Sequence, residues 1–138
     1  MITDLIPQRP PIVMVDAINP LSATTTLTIR EDNWFVEGGT FLEAGLVEHA
    51  AQSAAALVGL ATQQRGEQPH IGYIGAVQDF VISSLPHVGD TLTTEVHVVA
   101  IVDEITLVEI TTHSTVVHKK VNNVKSIATG RLKVFITE

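Results

Sequence analysis

A glutamate, a histidine and a glutamine stand close together as Glu48, His49 and Gln52, inside a stretch, "GGTFLEAGLVEHAAQSAAALVG" (38–59), that is otherwise small and apolar. A carboxylate shielded from water is costly unless it is paired or hydrogen-bonded, and in a cleft it is a candidate general acid. At 3.6 residues per helical turn Gln52 falls one turn beyond Glu48 on the same side, where it can bond to Glu48, to a ligand, or simply to a backbone carbonyl. His49 points about 100° away, which suits a core or interface histidine. His70 opens a strand pattern beside Gly72 and Gly75 and is kept as a second site candidate; His87 falls in a turn, and His97, His113 and His118 fall in strand patterns as surface groups.

These residues need a helix to hold them. Thr40 followed by Glu43 reads as a capping box, so the spacing predicts a helix that starts there and ends near "TQQRGEQP", where Gly66 and Pro69 stop it. On the helical wheel Glu48 shares its side with Phe41, Ala44, Gly45, Ala51, Gln52, Ala55 and Gly59, while Leu46, Ala50, Leu57 and Leu60 lie opposite. A helix apolar almost all round is a buried one, so Glu48 is expected to be shielded, against the commoner outcome of a solvated helix glutamate. Upstream, prolines 7, 10 and 11 forbid a regular helix, and "SATTTLTIRE" alternates with the period of a half-buried strand. Downstream, "HIGYIGAVQDFVI", "LTTEVHVVAIV", "ITLVEITTHSTVVH" and "SIATGRLKVFIT" are rich in Val, Ile and Thr and read as strands, with "SSLPHVGDT" as a turn. The order is strand, long helix, four strands: an α+β layout in which one helix covers an antiparallel sheet, in a single domain over residues 1–138.

The composition excludes several function classes. A net charge of −7 with only eight Lys and Arg argues against nucleic acid held through its phosphates. Without cysteine there are no disulfides or thiolate metal sites, and no His pair at helical spacing with an acid suggests a metal. "EGGT" lacks the lysine and length of a phosphate loop, so no cofactor is expected. "MITDLIPQRP" carries an acid where a secretory leader has bases, and the apolar stretch 41–61 is broken by Glu43, Glu48, His49 and Gln52; a cytoplasmic protein with no membrane partner is expected.

Three motifs in order carry a resemblance. "LIPQRPPIVMVDAI", "LVEHAAQSAA" and "YIGAVQDFVISSLPHVGDTL" together make the chain similar to the hotdog-fold 3-hydroxyacyl-ACP dehydratases, whose opening motif runs Leu-Leu-Pro-His-Arg-x-Pro-x-Leu-Leu-Val-Asp and whose helix carries Glu followed by Ala-Gln. The resemblance implies a long central helix wrapped by a bent antiparallel sheet, and a dimer or higher homo-oligomer with continuous sheets and acyl-pantetheine tunnels at the interface. It also implies that Glu48 is the helix glutamate and Gln52 the glutamine a turn later. Where the family has Gly-His-Phe-Pro this chain has "VEGGTFL", with Gly39 in the histidine's place, and the opening histidine is Gln8. A replacement base is then sought in His49 or His70, in the same or the partner subunit.

Three functions fit. The first is a dehydratase acting on a 3-hydroxyacyl-ACP in fatty acid, polyene or related lipid synthesis, with Glu48 as general acid and the N–H groups of Ala44, Gly45 and Leu46 polarising the thioester carbonyl. The second is an acyl-thioesterase acting on ACP or CoA thioesters, with Glu48 activating water or attacking the thioester. The third is a non-catalytic acyl-binding subunit of an active hotdog partner; a retained Glu48 weighs against it. ACP is acidic, and Lys119, Lys120, Lys125, Arg131 and Lys133 gather five of the eight basic residues in the last strand pair. Lysines guarding a solvated sheet edge account for them equally well.

Overall fold

The computed structural model describes residues 2–64, 71–115 and 124–136, with only the backbone at 62–64. One helix, α1 (Glu43–Gln64), lies against a six-stranded antiparallel sheet formed by β1 (Ala17–Asn19), β2 (Thr24–Thr28), β5 (Gly72–Ile82), β6 (Thr91–Val102), β7 (Ile105–Thr115) and β8 (Val124–Ile136). The order across the sheet is β1-β2-β6-β7-β8-β5, and a separate hairpin of β3 (Val36–Glu37) and β4 (Thr40–Phe41) leads into the helix. The fold is the expected hotdog arrangement, one helix on an antiparallel sheet, with β1 and the β3–β4 hairpin added to the expected elements.

The long strands follow from β-branched residues in strict alternation. Along β7 the buried residues Thr106, Val108, Ile110, Thr112 and Ser114 face the helix, and the residues between them face outward. Register shifts at Val98/Ala100 between β6 and β7, at Thr112/His113 between β7 and β8, and at Ile74/Ala76 and Gln78/Val81 between β5 and β8 insert extra residues. Bulges of this kind bend a strand and increase its twist, which lets strands of 11–13 residues curve around a helix.

Helix α1 is buried from His49 to Gly59 because it is covered on two sides. Ala50, Ala51, Ala54, Leu57 and Val58 pack with Val96, Val108, Ile110, Leu132 and Val134 of the sheet. Leu5 and Ile6 of the proline-rich lead-in close on Ala55 and Ala56 from the other side. Small side chains let both layers approach the helix backbone closely, which explains the run of alanines. A further cluster at the head of the helix joins Met14, Leu27, Ile29, Phe41, Leu46, Leu92 and Ile127.

The helix does not begin with a capping box. Thr40 is a strand residue paired with Glu37, and the chain from Val36 to Phe41 turns tightly at Gly38 and Gly39, at φ +57° and +80°. Two successive positive φ angles in a two-residue loop are the geometry glycine pairs supply. Leu42 instead precedes the first helical residue, and its carbonyl accepts from the N–H groups of Gly45 (3.0 Å) and Leu46 (3.2 Å). Gly45 is required there: a Cβ would lie 2.5 Å from Phe41 Cζ and 2.8 Å from Phe35 Cβ, in the edge-on Phe35–Phe41 pair.

Candidate active site

The first two turns of α1 carry the only exposed strip of the helix among residues 43–60. Glu43 and Ala44 are exposed and Val47 and Glu48 half-buried, whereas everything from His49 to Gly59 is buried. Glu48 therefore sits at a rim, not in the shielded position expected from the wheel, although Ile12 and Met14 of the lead-in bond to Gln52 one turn away.

Gln52 holds Glu48 in place. Its Nε2 donates to Glu48 Oε2 (2.9 Å) and to the carbonyl of Ile12 (2.9 Å), and its Oε1 accepts from the N–H of Met14 (2.6 Å). The amide bridges helix and lead-in through both of its ends, and it is fully buried. These bonds engage both ends of the Gln52 amide, and one of them holds the Glu48 carboxylate. Glu48 Oε1 has no hydrogen-bond partner among the described residues.

His49 faces the other way. Its Nδ1 lies 2.7 Å from the carbonyl of Met14 and its Nε2 2.8 Å from Thr94 Oγ1, which is in turn 2.7 Å from Thr112 Oγ1. Burial pushes the imidazole from its ordinary 6.5 down to about 4, against the opposing pull of the Met14 carbonyl and the Asp16 charge, so it is neutral near pH 7. A carbonyl only accepts, so Nδ1 carries the proton, Thr94 donates to Nε2, and Thr112 donates to Thr94. Beside it Ser53 Oγ donates to the carbonyl of His49 (2.6 Å), which leaves Thr25 as the donor to Ser53 (2.6 Å). His49 is a fully satisfied core residue with neither ring nitrogen available, which removes it as a proton carrier beside Glu48.

The other candidates separate in the same way. His70 lies outside the described residues, as do His118, Lys119 and Lys120. Leu46 is fully buried, Gly45 lies beneath two phenylalanines, and both N–H groups turn back onto Leu42, so of the three expected carbonyl-polarising donors only Ala44 stays on the exposed rim. Gly39 is exposed at the hairpin tip and its carbonyl accepts from Val88. Of the basic residues on β8, Arg131 is paired with Glu109 at 3.1 Å, while Lys125 is exposed and Lys133 half-buried. Among the described residues no group of His, Asp and Glu could hold a metal ion, and no helix is long and apolar enough to cross a membrane.

The side-chain bonds of Gln52 and His49 join residues 35 to 45 positions apart, apart from the Glu48 contact one helical turn away. No local pattern in the sequence signals them. His87 is the residue whose surroundings the sequence understated: it sits not in an isolated turn but against the β3–β4 hairpin.

The whole chain, residues 1–138, matches the family model described as ApeP-like, ApeP dehydratase. No curated protein sequence matches it. Among solved structures it is similar to a chain of the dehydratase heterocomplex ApeI:P from Xenorhabdus doucetiae, with a TM-score of 0.73 and 14% identity over 99% of this chain and 91% of that one. The hexameric hotdog-fold thioesterase Cj0915 of Campylobacter jejuni superposes with a TM-score of 0.68 at 9% identity, covering 93% of this chain and 86% of its own. The E. coli PaaI protein from the phenylacetic acid degradation operon gives 0.59 at 18% identity, covering 81% and 73%. At these identities the structural likenesses establish the hotdog fold.

Proposed function

The chain belongs to the ApeP-like dehydratase family, and on that footing we propose that it acts on acyl thioesters, removing water from a 3-hydroxyacyl group with Glu48 as the acid. The observation that carries this reading is the half-buried carboxylate at the open end of α1, one oxygen fixed by a glutamine that is itself bonded at both ends. A buried amide spent on orienting one carboxylate is what a reacting group requires, because a misplaced acid loses most of its rate advantage.

The proton of the Glu48 carboxylic acid passes to the 3-hydroxyl as the C3–O bond breaks, while a base takes the proton from C2 and that bond's electrons form the new double bond. The Ala44 N–H lies in the first turn of the helix, whose positive end would favour the negative charge that builds on the thioester oxygen. The biological unit is an oligomer in this reading. Among the described residues β5 is a sheet edge 11 residues long, with Tyr73, Val77 and Val81 exposed along it. An unpaired apolar edge of that length is a surface for a second strand, from another copy of this chain or a hotdog partner. The setting is cytoplasmic lipid or polyene synthesis, with ACP as the carrier and Lys125 and Lys133 on β8 as its contacts.

A thioesterase is the second reading, supported by the thioesterase among the structural neighbours and by the single carboxylate, which suffices to activate water. Incubation of the purified protein with 3-hydroxyacyl-ACP and 3-hydroxyacyl-CoA thioesters of short, medium and long chain separates the two. Enoyl product without free thiol, abolished in Glu48→Gln, is expected. Free thiol without enoyl product makes the protein a thioesterase, and neither product sinks both readings.

A further inference from the structure

Elimination catalysis needs a base as well as an acid, and Glu48 supplies one group only. Among the described histidines, His49 has both ring nitrogens engaged in the core. His97 and His113 alternate with the buried Val96, Thr112 and Ser114 and so lie on the face of the sheet turned away from α1, where His113 approaches Glu95 at 3.8 Å. His87 alone is exposed at the head of the helix.

Its backbone is held on every side. Thr40 and His87 form an isolated antiparallel bridge, flanked by Phe41 N–H donating to Pro86 O (2.9 Å) and Val88 N–H donating to Gly39 O (3.0 Å). The N–H of His87 donates to Asp90 Oδ2 (2.9 Å), a carboxylate only 4% exposed, and Gly89 N–H donates to Ile29 O (2.8 Å). Leu85 and Val88 pack into the cluster of Phe41, Leu46 and Met14. Met14 is the residue whose N–H is held by the same Gln52 that holds Glu48. A rigid loop thus carries an exposed imidazole against the hairpin that enters the helix three residues later. The ring is oriented too: Nδ1 lies 3.4 Å from Thr40 Oγ1. In the tautomer whose Nδ1–H donates to Thr40, Nε2 bears the lone pair.

We infer that His87 is the proton acceptor of the site to which Glu48 belongs, within one chain or across two chains of an oligomer, and that Thr40 positions its ring. The inference rests on the dehydratase reading. Nε2 takes the proton from C2 of the 3-hydroxyacyl thioester, the C2–H electrons form the C2=C3 bond, and the hydroxyl leaves as water with the Glu48 proton. The imidazolium then loses its proton to solvent and the carboxylate regains one, so the cycle needs no further reactant.

The test compares enoyl formation from the 3-hydroxyacyl-ACP panel by the wild type, Glu48→Gln, His87→Ala, His87→Gln and, as control, His97→Ala, with unfolding midpoints for each. Loss of roughly 10²–10⁴-fold in both His87 variants is expected at unchanged midpoints, with partial rescue of His87→Ala by added imidazole and full activity in His97→Ala. Wild-type rates in His87→Ala beside an inactive Glu48→Gln overturn the role of His87 and leave that of Glu48 standing. A loss with a lowered midpoint and no imidazole rescue makes His87 structural and also overturns the inference. A wild type that forms no enoyl product overturns the dehydratase reading and the His87 role with it.

Discussion

Glu48 and His49 are neighbours in the chain and end in opposite kinds of place. His49 enters a closed polar chain, Thr112 to Thr94 to His49 to Met14, in which every polar atom named is bonded and buried. Glu48 stands at the rim of the same helix with one oxygen tied and the other without a partner among the described residues. The difference teaches where this fold keeps its two uses of polarity. In the core, polar groups fix the register of lead-in, helix and sheet, and full satisfaction stabilises them. At the rim, satisfaction is incomplete, and one Glu48 oxygen has no partner among the described residues.

Breaking the core side should have the largest effect on stability. His49→Ala leaves the Met14 carbonyl and the Thr94 hydroxyl without their partner and opens a cavity, so a loss of about 3–5 kcal/mol in denaturant unfolding is expected. Glu48→Gln should change the unfolding free energy by no more than about 0.5 kcal/mol. Equal losses in the two variants would erase the distinction between the regions.

Acid should separate them without mutation. The folded-state pKa of His49 lies below its unfolded value of 6.5, so the unfolded chain binds more protons between pH 6.5 and about 4. The contribution is fully present above pH 6.5 and is lost as pH falls toward 4, by up to ~3 kcal/mol. Unfolding curves recorded across that window should show this slope in the wild type and a shallower one in His49→Gln. A slope that persists in the variant would place its origin in another group.

Gln52 belongs to both regions and tests their junction. Gln52→Leu strands the Met14 N–H and the Ile12 carbonyl, and about 2 kcal/mol of stability should be lost. Because it also frees the Glu48 carboxylate, kcat should fall more than KM rises; an unchanged kcat would detach Gln52 from the site. The smallest effect is expected at the hairpin. Thr40→Val keeps the β4 backbone pairing but removes the hydroxyl beside His87, so stability should move by no more than about 0.5 kcal/mol while turnover falls several-fold.

How much of this was legible in the sequence depends on the range of each interaction. The helix and its burial could be read from the apolar wheel, and the four long strands from their Val, Ile and Thr content, while Gly66 and Pro69, expected to stop the helix, lie outside the described residues. The start of the helix was misread because Thr40 and Glu43 have capping-box spacing whether or not Thr40 is already committed to a strand, and the Gly38–Gly39 turn commits it. The degree of burial of Glu48 was misread for a related reason. A wheel shows which side of a helix a residue occupies, but not where along its length the covering layers stop.

The sequence by itself determined the long helix, the antiparallel strands, the lack of cysteine and the presence of a carboxylate and an amide one turn apart, because each depends on residue type and on periods of two or 3.6 residues. Only the tertiary structure decided that His49 would be sealed in the core, that Gln52 would join Glu48 to the lead-in, and that His87 would meet Thr40. Those outcomes depend on contacts between segments 35 to 47 residues apart. They arise when the lead-in and the strands close around the helix, and no local period in the chain encodes them.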